Sequence, residues 1–134
     1  MGNRIKTIIV DDNSTFLEGI SSCIKDDDRF EVIAKFNSGI QLLHCEELKM
    51  ANLLLMDIEM PELNGIETAK KVNISYPNLK MIAITLYQDK VYLQQIIEAG
   101  FRGFVNKVNI PIGLFETIDF VMNGKYSYPA NIKL

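Results

Sequence analysis

Asp11 and Asp12, Asp57, Thr85 and Lys107 stand at the downstream ends of four separate apolar runs. Ile8-Ile9-Val10 leads into Asp11-Asp12, and Leu53-Leu54-Leu55-Met56 into Asp57. Met81-Ile82-Ala83-Ile84 leads into Thr85, and Phe104-Val105 leads through Asn106 to Lys107. Three carboxylates, a hydroxyl and an ammonium are the groups needed to hold a hard divalent cation and to receive a phosphoryl group. Taken singly, each has an ordinary explanation: a helix cap, a β-branched strand residue, a solvated lysine. The chemistry requires that the four runs end side by side.

The elements between them supply that arrangement. Apolar runs alternate with stretches of helical period along the chain. Strands are expected over 5–10, 30–36, 53–56, 80–85 and 103–106. Ser14 is expected to cap a helix reaching about residue 25, with Phe16, Leu17, Ile20 and Ile24 on its apolar face. Ser38-Gly39 opens a helix over 40–49. The stretch Glu59-Met60-Pro61-Glu62-Leu63-Asn64-Gly65 is a loop by its Pro and Gly. A helix over 66–76 stops before Pro77, one over 90–99 stops at Gly100, and the last, 112–123, lies between Pro111 and Gly124. Strict β-α alternation of five strands and five helices predicts an α/β fold, a doubly wound parallel sheet covered on both faces. Ligands in such sheets bind outside the carboxyl ends of the strands.

At that edge, like charges on Asp11, Asp12 and Asp57 repel unless a cation neutralises them. Mg²⁺ suits the set, because it takes oxygen ligands through one or two carboxylates while keeping several waters. Asp57 is the candidate nucleophile, since a carboxylate can attack an activated phosphorus and become an aspartyl phosphate. Lys107 offers a flexible, strongly charged donor to the transferring group, and the Thr85 hydroxyl can donate to a phosphoryl oxygen.

Composition is that of a globular domain of 134 residues, 48% hydrophobic and 23% charged, with a net charge of -3. That balance argues against a surface built for nucleic acid. No segment approaches the roughly 18 uninterrupted apolar residues of a membrane span, and the first residues lack a signal-peptide core. A cytoplasmic location without membrane contact is expected. Cys23 and Cys45 have no metal or disulfide spacing, and His44, the single histidine, has no ligand partner at metal spacing.

In order and spacing, these residues resemble the receiver domain of a two-component response regulator, with its flavodoxin-like (CheY-like) sheet of order 2-1-3-4-5. The motifs are Asp11-Asp12, Asp57 followed by Met60-Pro61 and Gly65, Thr85, and Phe104-Val105-Asn106-Lys107. The resemblance implies that Asp12 and Asp57 ligate Mg²⁺ directly, Asp11 through water and Glu59 through its backbone carbonyl. It implies Asp57 as phosphoacceptor from a sensor histidine kinase or phosphotransfer protein, with Lys107 and Thr85 on the phosphoryl oxygens. Phe104 would be the ring that swings inward when Thr85 moves toward the phosphate. Catalysis would extend only to transfer onto Asp57 and its slow hydrolysis. The stretch from Ala99 to Lys107, then Asn123-Gly124-Lys125-Tyr126-Ser127-Tyr128-Pro129, resembles the NarL/FixJ subfamily, in which it leads into a LuxR-type helix-turn-helix domain. The expectation is a receiver over 1–124 and, over 125–134, the start of a linker to a DNA-binding domain absent from this chain. DNA would be contacted only through that domain, and phosphorylation would favour a homodimer.

Three positions depart from the common pattern. Leu86 brings a branched side chain where many receivers carry a small one, which predicts slower donor access. Tyr87 and Glu59 flank the path of the hydrolytic water in the family, which predicts a long-lived phosphorylated state. Competing readings are an aspartyl-phosphate phosphohydrolase using Glu59 as acid/base, a stand-alone receiver regulating a protein partner, and a degenerate receiver. A nucleotide- or flavin-binding relative is disfavoured, because Asp11-Asp12-Asn13-Ser14 replaces a glycine-rich loop after the first strand.

Overall fold

The computed structural model describes residues 3–86 and 90–128; the expectations resting on Tyr87 and on the chain beyond Tyr128 lie outside the described residues. Five strands, β1 (Ile5–Val10), β2 (Phe30–Phe36), β3 (Leu53–Asp57), β4 (Lys80–Thr85) and β5 (Gly103–Asn106), form one sheet in the order β2-β1-β3-β4-β5, every pairing parallel. The helices α1 (Ser14–Lys25), α2 (Gly39–Leu43), α3 (Gly65–Ser75), α4 (Lys90–Glu98) and α5 (Ile112–Met122) connect and cover them. This is the expected CheY-like architecture.

Alternation along the strands divides the core in two. Ile8, Val10, Leu54, Met56, Met81 and Ala83 pack on one face with residues of α2, α3 and α4. Ile9, Leu53, Leu55, Ile82, Ile84 and Val105 pack on the other with α1 and α5. Because both faces are covered, β3 is buried at every position, and its sequence is a continuous apolar run up to Asp57.

Local chemistry explains the departures from the expected boundaries. The cap of α1 is Asn13, not Ser14: its side chain accepts the Phe16 N–H at 3.0 Å. The helix expected over 40–49 breaks after Leu43, and a short 3-10 turn, Glu46–Lys49, follows. There the His44 ring nitrogen meets the Ile40 carbonyl at 2.8 Å, taking an acceptor that a continuing helix would use. Asn64 caps α3 through the Glu67 N–H. Gly100, at φ +105, ends α4 in the left-handed conformation that glycine allows without strain.

The segment after α5 does not leave the domain at Gly124. The Ser127 N–H donates to the Arg102 carbonyl at 2.9 Å, and the Phe104 N–H donates to the Ser127 carbonyl at 3.0 Å. The chain here lies parallel to β5 as a further edge contact. Tyr128 packs against the core and donates its hydroxyl to the Phe101 carbonyl at 2.8 Å.

Candidate functional site

Register brings the acids together. Val10 pairs with Met56, so Asp11 and Asp57, the next residues of each strand path, emerge side by side at the carboxyl edge. One oxygen from each of Asp11, Asp12 and Asp57 lies within 4.8 Å of the others. Asp11 is 1% exposed and Asp57 4%, whereas Asp12 faces solvent. The loop after β1 is held in place by the Asn13 N–H, which donates to Asp11 Oδ1 at 2.9 Å.

Lys107, just past β5, reaches the same point although β4 separates β5 from β3. Its Nζ stands 3.0 Å from Asp11 Oδ2 and 3.5 Å from Asp57 Oδ2. Both contacts are within ion-pair distance. Asp11 Oδ2 is buried, and the Lys107 ammonium is the counter-charge beside it. The Phe16 ring covers the ammonium from the side of α1, with its centroid 4.4 Å from Nζ.

Electrostatics single out Asp57. Burial pushes its carboxyl up to about 7, and the charge of Asp11 and, less, of Asp12 adds to the shift. Lys107 and the Glu59 backbone N–H act in the opposite sense. A carboxylate held in a cluster of like charge and short of compensation is one that a divalent cation would stabilise. Three carboxylates sharing one ammonium, the all-oxygen donor set and the short spacing fit a hard ion such as Mg²⁺ that keeps part of its water.

Gly65 lets α3 close on this edge. A Cβ there would collide with the Asp57 carbonyl oxygen and the Ile58 Cα, while the Gly65 N–H donates to the Ile58 carbonyl at 2.9 Å. The loop before it carries Glu59 exposed and Met60 buried. Thr85 is fully buried at the end of β4, one position beyond Ile84, which pairs with Asp57. Phe104 lies inward, 6% exposed, in the core face shared with Met81 and Ala83. Leu86 is 62% exposed and so is not packed across the buried acids. The candidate site residues Asp11, Asp12, Asp57, Glu59, Thr85 and Lys107 thus lie at or just past the carboxyl ends of β1, β3, β4 and β5; Tyr87 lies outside the described residues. Phe16 was legible only as part of an apolar helix face; its place in the first turn after an acidic loop was the available signal.

The response regulator receiver domain profile matches residues 7–119. The chain is 29% identical over 128 residues to the transcriptional regulatory protein DegU of Brevibacillus brevis, covering 95% of this chain and 54% of that protein. It is 32% identical over 104 residues to the response regulator GacA of Pseudomonas syringae, covering 77% of this chain and 48% of that protein. The chain thus spans about half the length of the relatives it matches. Among solved structures, the isolated receiver domain of RcsB from Salmonella enterica superposes with a TM-score of 0.83 at 25% identity, covering 96% of this chain and 95% of that one. A LuxR-family response regulator from Aurantimonas shares the fold, with a TM-score of 0.88 at 21% identity, covering 97% and 93%. The chain belongs to the response regulator receiver domain family, and the regulators it resembles are of the NarL/FixJ type.

Proposed function

We propose that this receiver takes a phosphoryl group onto Asp57 from the phosphohistidine of a sensor kinase or phosphotransfer protein. The observation that carries the reading is the Lys107 ammonium between Asp11 and Asp57, 3.0 and 3.5 Å from their oxygens, beside a triad of carboxylates within 4.8 Å. An Asp57 oxygen forms the new P–O bond while the P–N bond of the donor breaks, and the departing imidazole takes up a proton. Lys107 and Thr85 contact the equatorial oxygens, where charge accumulates during transfer. Asp12 and Asp57, the Glu59 carbonyl and, through water, Asp11 would hold Mg²⁺, which neutralises the acids and screens the incoming phosphoryl charge.

The domain acts by changing shape and not by turning over substrate; hydrolysis of its own aspartyl phosphate resets it. Added charge at Asp57 draws Thr85 inward and biases the packing of Phe104, which shifts an existing equilibrium by the difference in stabilisation of its two states. Relatives of about twice this length are transcriptional regulators, and RcsB dimers are known bound to DNA. Both support a readout through phosphorylation-favoured dimerisation and a LuxR-type DNA-binding domain joined beyond Tyr128. The family expectation at positions 59 and 87, a carboxylate and a bulky ring where the hydrolytic water would pass, extends the proposal to a slowly hydrolysed phosphoryl group.

Incubation with phosphoramidate and Mg²⁺, followed by intact-mass measurement, tests the core of this reading. Wild type should gain one phosphoryl group and Asp57→Ala none. Equal labelling of both would overturn the assignment, and multiple-turnover hydrolysis of a small phosphoester would favour a phosphohydrolase instead.

A further inference from the structure

Besides the acids, the Lys107 ammonium meets an aromatic ring. Phe16 stands with its centroid 4.4 Å from the Lys107 Nζ, within the range in which an aromatic face attracts a cation. Two hydrogen bonds tie that ring's backbone to the acidic loop. The Phe16 N–H donates to Asn13 Oδ1 at 3.0 Å, and the Asn13 N–H donates to Asp11 Oδ1 at 2.9 Å. The ammonium thus has three attractors: Asp11, Asp57 and a π face held in fixed relation to Asp11.

These attractors do not respond alike to a divalent cation. A cation bound among the acids draws on the same carboxylate charge that holds Lys107, so the pull of Asp11 and Asp57 on the ammonium weakens. The quadrupole of a phenyl ring is not consumed in that way. A lysine on a flexible four-carbon stem then needs another constraint to stay near the reacting oxygen, and Phe16 is a neutral group in contact with it.

We propose that Phe16 is a positioning residue, whose ring keeps the Lys107 ammonium beside Asp57 while the carboxylates are engaged by a divalent cation. The inference rests on the proposed phosphoryl transfer. The plain alternative is that Phe16 only fills space, since it also packs against the core face that contains Leu17 and Ile20. Phe16→Leu retains an apolar side chain that suits a helix and removes the π face; Phe16→Tyr retains both.

The test combines NMR of the Lys107 ε-methylene, assigned through Lys107→Arg, with the rate of phosphoryl uptake from phosphoramidate. In wild type the ε-methylene protons should be shifted upfield by the ring current, both without a divalent cation and with Mg²⁺ alone. The shift should vanish in Phe16→Leu and persist in Phe16→Tyr. Uptake should fall roughly three- to tenfold in Phe16→Leu, the scale of one partly buried cation–π contact, and recover in Phe16→Tyr. An unshifted ε-methylene in Mg²⁺-loaded wild type, or wild-type uptake by Phe16→Leu, overturns the proposal. If wild type takes up no phosphoryl group, the functional reading fails, and the ring-current comparison still decides whether Phe16 holds Lys107.

Discussion

Lys107 lies nearer to Asp11, at 3.0 Å, than to the proposed acceptor Asp57, at 3.5 Å. The lysine is thus a structural counter-ion to a buried acid, in addition to its proposed contact with phosphate. Replacing it with methionine keeps the stem but leaves two buried carboxylates without their cation. Lys107→Met should destabilise the Mg²⁺-free protein by roughly 2–3 kcal/mol, and saturating Mg²⁺ should return much of the loss. Urea unfolding with and without Mg²⁺ measures both; an equal loss in the two conditions would refute the counter-ion role.

The Asp57 carboxyl, pushed up to about 7 from 3.8, fixes the sign of two pH effects. The folded state binds this proton more tightly than the unfolded chain. Its contribution to stability is therefore fully present below 3.8 and is lost as pH rises through about 7. In Mg²⁺-free protein above that pH, Asp57→Asn should be more stable than wild type by roughly 2–4 kcal/mol, with the gap closing toward acid. Divalent cations need the ionised form, so apparent Mg²⁺ affinity should fall about tenfold per unit below pH 7 and level off above it. Calorimetric titrations across that range check the slope, and an affinity independent of pH would contradict the shifted carboxyl.

The sequence showed the site more fully than it showed some of the framework. Runs such as Leu53–Asp57 are buried on both faces, so they read as strands without tertiary information, and strand order then brings Asp11 beside Asp57. The break at His44 was hidden, because apolar spacing continues through Leu48 while a side chain displaces the backbone bond. Tyr126-Ser127-Tyr128 was hidden for a different reason. It is too short to show a strand period, and its partners Arg102 and Phe104 come from elsewhere in the chain. The Phe16–Lys107 contact likewise depends on the sheet that joins α1 to β5.

Gly65 is the position where backbone approach is tightest near the acceptor. The Cβ of an alanine would meet the Asp57 carbonyl oxygen and the Ile58 Cα, both backbone atoms with little freedom to yield. Gly65→Ala should cost about 1–3 kcal/mol, as overpacking does. It should also slow phosphoryl uptake, because relief comes by displacing the end of β3. Thermal unfolding and uptake from phosphoramidate test the two effects together; a stable variant with normal uptake would show that the edge can relax.

Tyr128 makes the strongest case that the domain extends past Gly124. Its hydroxyl donates to the Phe101 carbonyl at 2.8 Å, and burial pushes its phenol up to about 12. Tyr128→Phe removes the donor and strands a carbonyl, for a loss of about 1 kcal/mol. Truncation after Gly124 removes that bond, the ring's packing and both Ser127 pairings, so it should cost more, roughly 2–4 kcal/mol. It should also leave the Phe104 amide open to hydrogen exchange, since its acceptor is the Ser127 carbonyl at 3.0 Å. Because that amide belongs to the residue expected to respond to Thr85, docking of this segment and packing of Phe104 are linked, and a change in one must be felt by the other. Exchange at Phe104 that is equally slow in the truncated and full chains would sever the link.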